Sequence, residues 1–341
     1  METQTHQEII SWKEAIRTAL KSPVELQRYA QTLGYDYAEF LENDQTTYPL
    51  FLPQLFAKQI LSQGPSHILW KQFIPDVQEW NHHPLGLIDP IGDRLNFVAP
   101  QLIHRYRNRI LFLPTHLCPV QCRYCFRKNE LHDGEFKSQY LQSDFYKTLL
   151  YLKQHTELEE IIFTGGDPLF IDNEKLSFYL EQFAKIPHIQ FIRFHTRFPT
   201  IIPQRIDHDF MNMITHYAQR FTISLMVHTN HHSEWFSVQH QEALQNLNHL
   251  PIHLGSQTVL LKYHTLEDLI ILFKFLIKQG VKPYYLHHPD KVQGAMHFYL
   301  EKSEGIKLYQ QLRQYLPGWA IPHYVVDSES GHEKQLVLNQ T

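Results

Sequence analysis

From residue 109 onward, short β-branched and aromatic runs recur at a near-constant interval, and that rhythm restricts the fold more than any other feature. The runs occupy residues 109–114, 160–164, 190–196, 221–228, 252–261 and 281–287, and the last five start 29 to 31 residues apart. Between them, at 173–184, 206–219, 241–250 and 266–278, apolar residues fall at three- and four-residue spacing, the period of an amphipathic helix. Parallel strands need a crossover of this length, so the alternation predicts a parallel sheet covered by helices. Six such units are two short of a closed eight-unit barrel. The expected fold class is therefore α/β, an open six-stranded (βα)6 partial TIM barrel, followed by a helix at 303–315 and a terminal strand at 319–327.

The first hundred residues have a different texture. Residues 12–20, 25–33 and 53–61 carry helical apolar spacing, and the Pro/His/Gly/Asp-rich stretch 81–93 reads as loop. The expected organisation is a mainly helical extension over 1–100, the partial barrel over 101–302, and a helix, strand and tail over 303–341. A net charge of −4 argues against a nucleic-acid binder acting through a basic field. The polar amino terminus lacks a secretory pattern, and the most apolar run, 269–277, is interrupted by Lys274 and too short to span a bilayer. A soluble cytoplasmic protein is expected, with neither nucleic acid nor membrane as partner. The 24 histidines are mostly scattered; the pairs His82–His83, His231–His232 and His287–His288 read as surface or satisfied loop residues.

All three cysteines lie within eight residues: Cys118, Cys122 and Cys125 in THLCPVQCRYCFR, a CxxxCxxC loop at the carboxyl end of the first strand. In parallel βα folds that end carries the active site. An odd, compressed set of thiols suits a metal or cluster better than disulfides. Three thiolates on a four-iron cluster would leave one iron open to an external ligand. A structural zinc site with a fourth ligand, or three free thiols, are the alternatives. The next strand ends in GGDP, where Gly165 and Gly166 would let backbone approach a ligand closely, with Asp167 beside them.

CxxxCxxC with an aromatic before its last cysteine, followed forty residues later by GGDP, resembles the radical S-adenosylmethionine (SAM) superfamily. The resemblance implies a [4Fe–4S] cluster whose open iron binds SAM and cleaves it to a 5′-deoxyadenosyl radical, with an electron donor of flavodoxin or ferredoxin type. It implies a partial barrel of the radical SAM kind and places Gly165, Gly166 and Asp167 against SAM. A narrower similarity covers most of the chain from about residue 49. HRYRNR at 104–109, SQTVLL at 256–261 and PYYL at 283–286 resemble lysine 2,3-aminomutase. DKVQGAMHF at 290–298 is closer to the branch that makes (R)-β-lysine for modification of elongation factor P, working with a β-lysine ligase. The cysteine count fits that branch, since the fermentative enzymes carry further cysteines for zinc; no zinc is expected.

The family carries pyridoxal 5′-phosphate (PLP) on a lysine that follows a terminal strand and a short glycine-bearing loop, and Lys334 is the match. This loop has one glycine, and Gln335-Leu336 stand where Thr-Pro is usual. By resemblance Arg105 and Arg109 bind the PLP phosphate, with Tyr106 near the ring. Arg127 pairs with the carboxylate of substrate L-lysine, and Asp290 and Asp327 with its distal ammonium. Gln257, Asn230 and His231 resemble contacts to SAM or nearby groups, although Gly255 and Ser256 replace asparagines and Lys262 an arginine. An aminomutase for glutamate or arginine, a radical SAM enzyme without PLP, and a zinc- or cluster-stabilised binding protein are the competing readings.

Overall fold

The computed structural model describes residues 10–41, 48–130, 140–327 and 334–337. Its centre is a single ten-stranded sheet in which every strand lies beside its neighbours in sequence. The strands are β1 (Phe97–Ala99), β2 (Leu102–Tyr106), β3 (Arg109–Thr115), β4 (Glu160–Gly165), β5 (Phe191–Thr196), β6 (Thr222–His228), β7 (His253–Val259), β8 (Lys282–His287), β9 (His323–Asp327) and β10 (Lys334–Leu336). Strands β3 to β9 run parallel. Strands β1 and β2 at one end and β10 at the other add on antiparallel.

The six expected strands are present, and the sheet extends beyond them. The terminal strand pairs parallel to β8, so the parallel core has seven strands. Residues 97–106, split between the expected helical extension and the barrel, form β1 and β2. Helices Asn173–Ala184 and Leu266–Lys278 have the bounds read from periodicity. Each is opened by a side-chain cap, Asp172 to Lys175 N and Thr265 to Asp268 N. The helices Ile68–Phe73 and Gln142–Gln154 have no counterpart in that reading.

Alternation along the strands divides the sheet into an apolar face and a polar one. In β5, Ile192 and Phe194 pack into the main core, whereas Arg193 and His195 point to the other face, where they meet Glu160 and Gln257. Phe112 of β3 anchors the apolar face, with rings of Phe163, Tyr179 and Phe183 at centroid distances of 5.0–5.3 Å. On the polar face the two ends of the sheet approach each other: Arg105 of β2 lies 3.8 Å from Asp327 of β9. The main core runs without a break from Ala15 to Val337, so the N-terminal helices and the sheet share one hydrophobic interior. No helix among the described residues is long and apolar enough to cross a membrane.

Candidate functional site

The cysteine loop leaves β3 at the carboxyl end of the parallel strands, and buried charges clamp it from behind. Arg123, fully buried, donates to both oxygens of Glu79 at 2.7 and 2.5 Å and to the carbonyls of Pro49 and Tyr48. Lys128 reaches the same carboxylate at 3.1 Å and the carbonyl of Gly294 at 2.9 Å. Burial works to raise the Glu79 pKa, but the bonds from Arg123 and Lys128 outweigh it and hold the carboxyl below its ordinary value. The loop is thereby tied both to the N-terminal segment and to the loop after β8.

The GGDP turn supports the cysteine loop from the β4 side. Gly165 has φ +105°, and a Cβ on Gly166 would lie 2.4 Å from the Leu117 carbonyl oxygen. The amides of Gly166 and Asp167 donate to the carbonyls of Thr115 and Leu117 at 2.9 and 2.8 Å. Packing against the cysteine loop requires glycine at 166, and the positive φ beside Leu113 and Thr115 requires it at 165. The Asp167 carboxylate is likewise engaged: it accepts from Thr196 Oγ1 at 2.8 Å, the Arg197 amide at 2.6 Å and the Leu169 amide at 3.0 Å. Burial pushes its pKa up to about 6, with those bonds opposing.

Cys118, Cys122 and Cys125 are half-buried free thiols. Burial raises all three, Cys125 to about 12, while Arg127 draws Cys125 down and Arg197 draws Cys122 down. Two buried arginines beside a set of thiols suit an anionic thiolate cluster, whose own cationic irons would supply the remaining stabilisation of the thiolates. Among the described residues, no three His, Cys, Asp or Glu side chains gather as they would around a single ion. Cysteines that serve separate irons of one cluster need no such convergence. Behind them Arg197 donates to Tyr124 Oη at 2.6 Å and to Glu234 at 2.9 Å, and Tyr124 shares a 3.1 Å hydrogen bond with His228.

Deeper on the polar face lies a chain of alternating charges. Arg127, two residues after Cys125, donates to Asp93 Oδ2 through Nε at 3.0 Å and Nη2 at 2.7 Å. The other oxygen of Asp93 accepts from Arg105 Nη1 at 3.1 Å. Arg105 approaches Asp327, whose Oδ2 accepts from Lys334 Nζ at 2.5 Å. Burial works to raise Asp327, but Lys334, His287 and Arg105 together lower it. Asp290 is pushed up to about 7, by burial first and then by Asp327, with Lys334 and Arg105 opposing. His195 and His287, close enough to feel Lys334, are driven toward the neutral form by burial first. The structure thus brings together Arg105, Arg127, Asp290, Asp327 and Lys334, which lie up to 229 residues apart in sequence.

The other candidates divide. The Arg109 guanidinium stacks 4.1 Å from the Tyr106 ring centroid at the amino end of β3, remote in position along the strand from the cysteine loop. Gln257 stands on the polar face, its amide donating to His195 at 3.1 Å. Asn230 and His231, expected at SAM or nearby groups, have their side chains hydrogen-bonded within the protein. The Asn230 amide bridges Gln72 and the Val259 N–H, and the His231 ring faces Asp268 at 3.2 Å. The single-glycine loop at 328–333 lies outside the described residues, as does the amino-terminal stretch 1–9. Asp93, Glu79, His195, His228, Arg197 and Glu234 escaped the motif reading because their partners are distant in sequence.

Comparison with known proteins adds an independent line. Residues 108–191 match the family model described as a 4Fe-4S single cluster domain. The chain is 34% identical to the L-lysine 2,3-aminomutase of Haemophilus influenzae, over 92% of this chain and 91% of that one. It is 32% identical to that of Escherichia coli, over 91% and 90%. Identity to the L-lysine 2,3-aminomutase of Clostridium subterminale is 28%, over 96% of this chain and 77% of the longer relative.

Proposed function

Because the chain belongs to the lysine 2,3-aminomutase family of radical SAM enzymes, we propose that it uses PLP to convert L-α-lysine to (R)-β-lysine. That it is an isomerase of the aminomutase type, with an iron–sulfur cluster and SAM, follows from the family. The observation that carries the finer reading is the continuity of the polar face. Lys334 and the Asp290–Asp327 pair stand one buried ion pair, Arg105 to Asp93, away from Arg127 on the cysteine loop.

Bound cluster and SAM would supply a hydrogen-abstracting radical, and PLP the π-system that carries the migrating nitrogen. The chain's own residues do the rest. Cys118, Cys122 and Cys125 would hold the cluster. Arg127 offers a planar cation for the lysine carboxylate, and Arg105 with Arg109 offers the same to the PLP phosphate, with Tyr106 beside them. Lys334 would hold PLP covalently. Its ammonium pairs with Asp327 in this structure, and Asp327 with Asp290 offers carboxylates to the distal ammonium of the substrate. Neutral His195 and His287 add no positive charge next to Lys334. Two acids at the far end select a cationic side chain, since glutamate there would face like charge. Gly165, Gly166, Asp167 and Gln257 shape the SAM side; Asn230 and His231 act there through the backbone they fix.

The same reading extends outward. The parallel run from β3 to β8 supports a partial barrel over 101–302, with a mainly helical extension before it and, after it, a segment that adds β9 and carries Lys334. Higher identity to the Haemophilus and Escherichia relatives, 34% and 32% against 28% for the clostridial one, supports the elongation factor P branch. A β-lysine ligase would then consume the product, a flavodoxin or ferredoxin-like protein would reduce the cluster, and the reaction would take place in the cytoplasm. Anaerobically reconstituted protein, given SAM, PLP, a reductant and 2-15N-lysine, should yield β-lysine with the label on the β-carbon. Chiral chromatography should show mainly the (R) form. Absence of labelled β-lysine from protein carrying both cofactors would reject the reaction, and a mainly (S) product would reject the branch.

A further inference from the structure

Resting on that reading of the pocket, we infer that Asp93 is a positioning residue that sets the spacing and aim of Arg105 and Arg127, and so couples the cofactor-phosphate and substrate-carboxylate sites. Asp93 is fully buried, and its two oxygens are divided between the two guanidiniums. Both arginines are buried as well. Two buried cations this close repel strongly unless an anion stands between them, and the one that does so here is not a ligand but part of the protein. It therefore defines how far apart the two anion-binding groups stand before either anion arrives.

The loop that delivers Asp93 is built to hold it still. The Asp89 carboxylate accepts from the amides of Asp93 and Arg94, both at 3.0 Å, closing the turn beneath it. The same loop is fastened to the segment after β8: Leu87 N donates to Lys291 O and Gln293 N to Leu87 O, at 2.9 and 3.0 Å. Asp290, at the far end of the pocket, begins that segment. One loop contact thus links the residue that orients Arg127 to a residue of the ammonium end. Arg127 is held along its Nε/Nη2 edge by Asp93, while Nη1 faces Thr164 at 3.4 Å. Its remaining donor directions are what a substrate carboxylate can use, and Asp93 selects them.

The test compares lysine with 1,5-diaminopentane, which keeps both amines and lacks the carboxylate. Binding is followed by the absorbance of PLP on the reconstituted enzyme, in wild type, Asp93→Asn and Asp93→Glu, with iron content showing that each variant is intact. Asp93→Asn should weaken lysine by about ten-fold or more, the loss of one charge-assisted contact, and leave diaminopentane unchanged. Asp93→Glu restores the charge but not the spacing, so lysine should stay weakened. Equal weakening of both ligands, no weakening of either, or full recovery in Asp93→Glu would overturn the inference. A wild type that binds lysine no more tightly than diaminopentane would instead overturn the role of Arg127, the reading beneath it, and the inference with it.

Discussion

Replacing Glu79 by Gln isolates the clamp behind the cysteine loop without changing side-chain size. Glu79 accepts three charge-assisted hydrogen bonds from two cations, Arg123 twice and Lys128 once, and all three side chains are at most 3% exposed. Glutamine keeps one acceptor and turns an N–H toward a guanidinium or ammonium, leaving two buried cations without a counter-charge. Breaking a buried ion pair on one side costs about 3–5 kcal/mol. That is a large share of the roughly 5–15 kcal/mol by which domains are stable. The first structure to loosen should be the loop that the clamp holds, so iron uptake on anaerobic reconstitution should fall together with the urea midpoint. The pH dependence has a definite sign. The Glu79 pKa is depressed on folding, so its contribution is complete above the ordinary value of 4.5 and is lost as pH falls through the depressed value. The stability gap between wild type and Glu79→Gln should therefore narrow in acid. A variant within about 1 kcal/mol of wild type at pH 7, with full iron content, would refute the clamp.

Serine in place of any one of Cys118, Cys122 or Cys125 should abolish the reduced-cluster EPR signal and lower iron well below the roughly four atoms per chain of a complete cluster; full iron in any of the three would remove that cysteine from the ligand set. Borohydride reduction and peptide mapping should place the pyridoxyl group on Lys334, and finding it on Lys291 would reassign the cofactor. Asp290→Ala or Asp327→Ala should cost roughly ten- to a hundred-and-fifty-fold in kcat/KM for lysine, the worth of one charge-assisted bond; normal kinetics in both would dismiss the ammonium site. Because Asp290 is pushed up to about 7, it is largely protonated below that pH and anionic above it. Lysine affinity should rise as pH increases through about 7, and Asp290→Asn should flatten that rise.

How much of this is legible in the sequence depends on the range of the signal. Helix 266–278 was readable because its apolar stripe and its Thr265 cap are local. Strands β1 and β2 were not, because three- and five-residue segments joined by the Pro100–Gln101 turn are too short to show a period. The run at 319–327 was recognised as a strand, but its pairing with β8 depends on where the preceding helix, Lys302–Leu312, returns the chain. Arg193 and His195 were visible as part of a strand and nothing more. Only the closing together of β2 and β9 turns their face of the sheet into the interior of a site.

The same distinction explains which site residues could be found. CxxxCxxC and GGDP carry their chemistry within a few residues, and the match to Lys334 came with its flanking strand. Asp93 and Glu79 sit in stretches without periodicity, and each finds its main partner 34 or 44 residues later. A lone acid in a loop is ordinarily a solvated charge or a turn residue, and the Asp89–Asp93 turn looks like one. What marks Asp93 as different is its burial between two arginines, a condition that no local pattern encodes. Buried carboxylates are costly unless paired, so each one found in the fold points to a cation that it must be holding. Followed from Asp327 through Arg105 to Asp93 and Arg127, that rule leads from Lys334 to the cysteine loop in four side chains. In a pocket assembled from the two ends of an open sheet, such a chain of charges supplies across the gap the registration that backbone hydrogen bonds supply elsewhere.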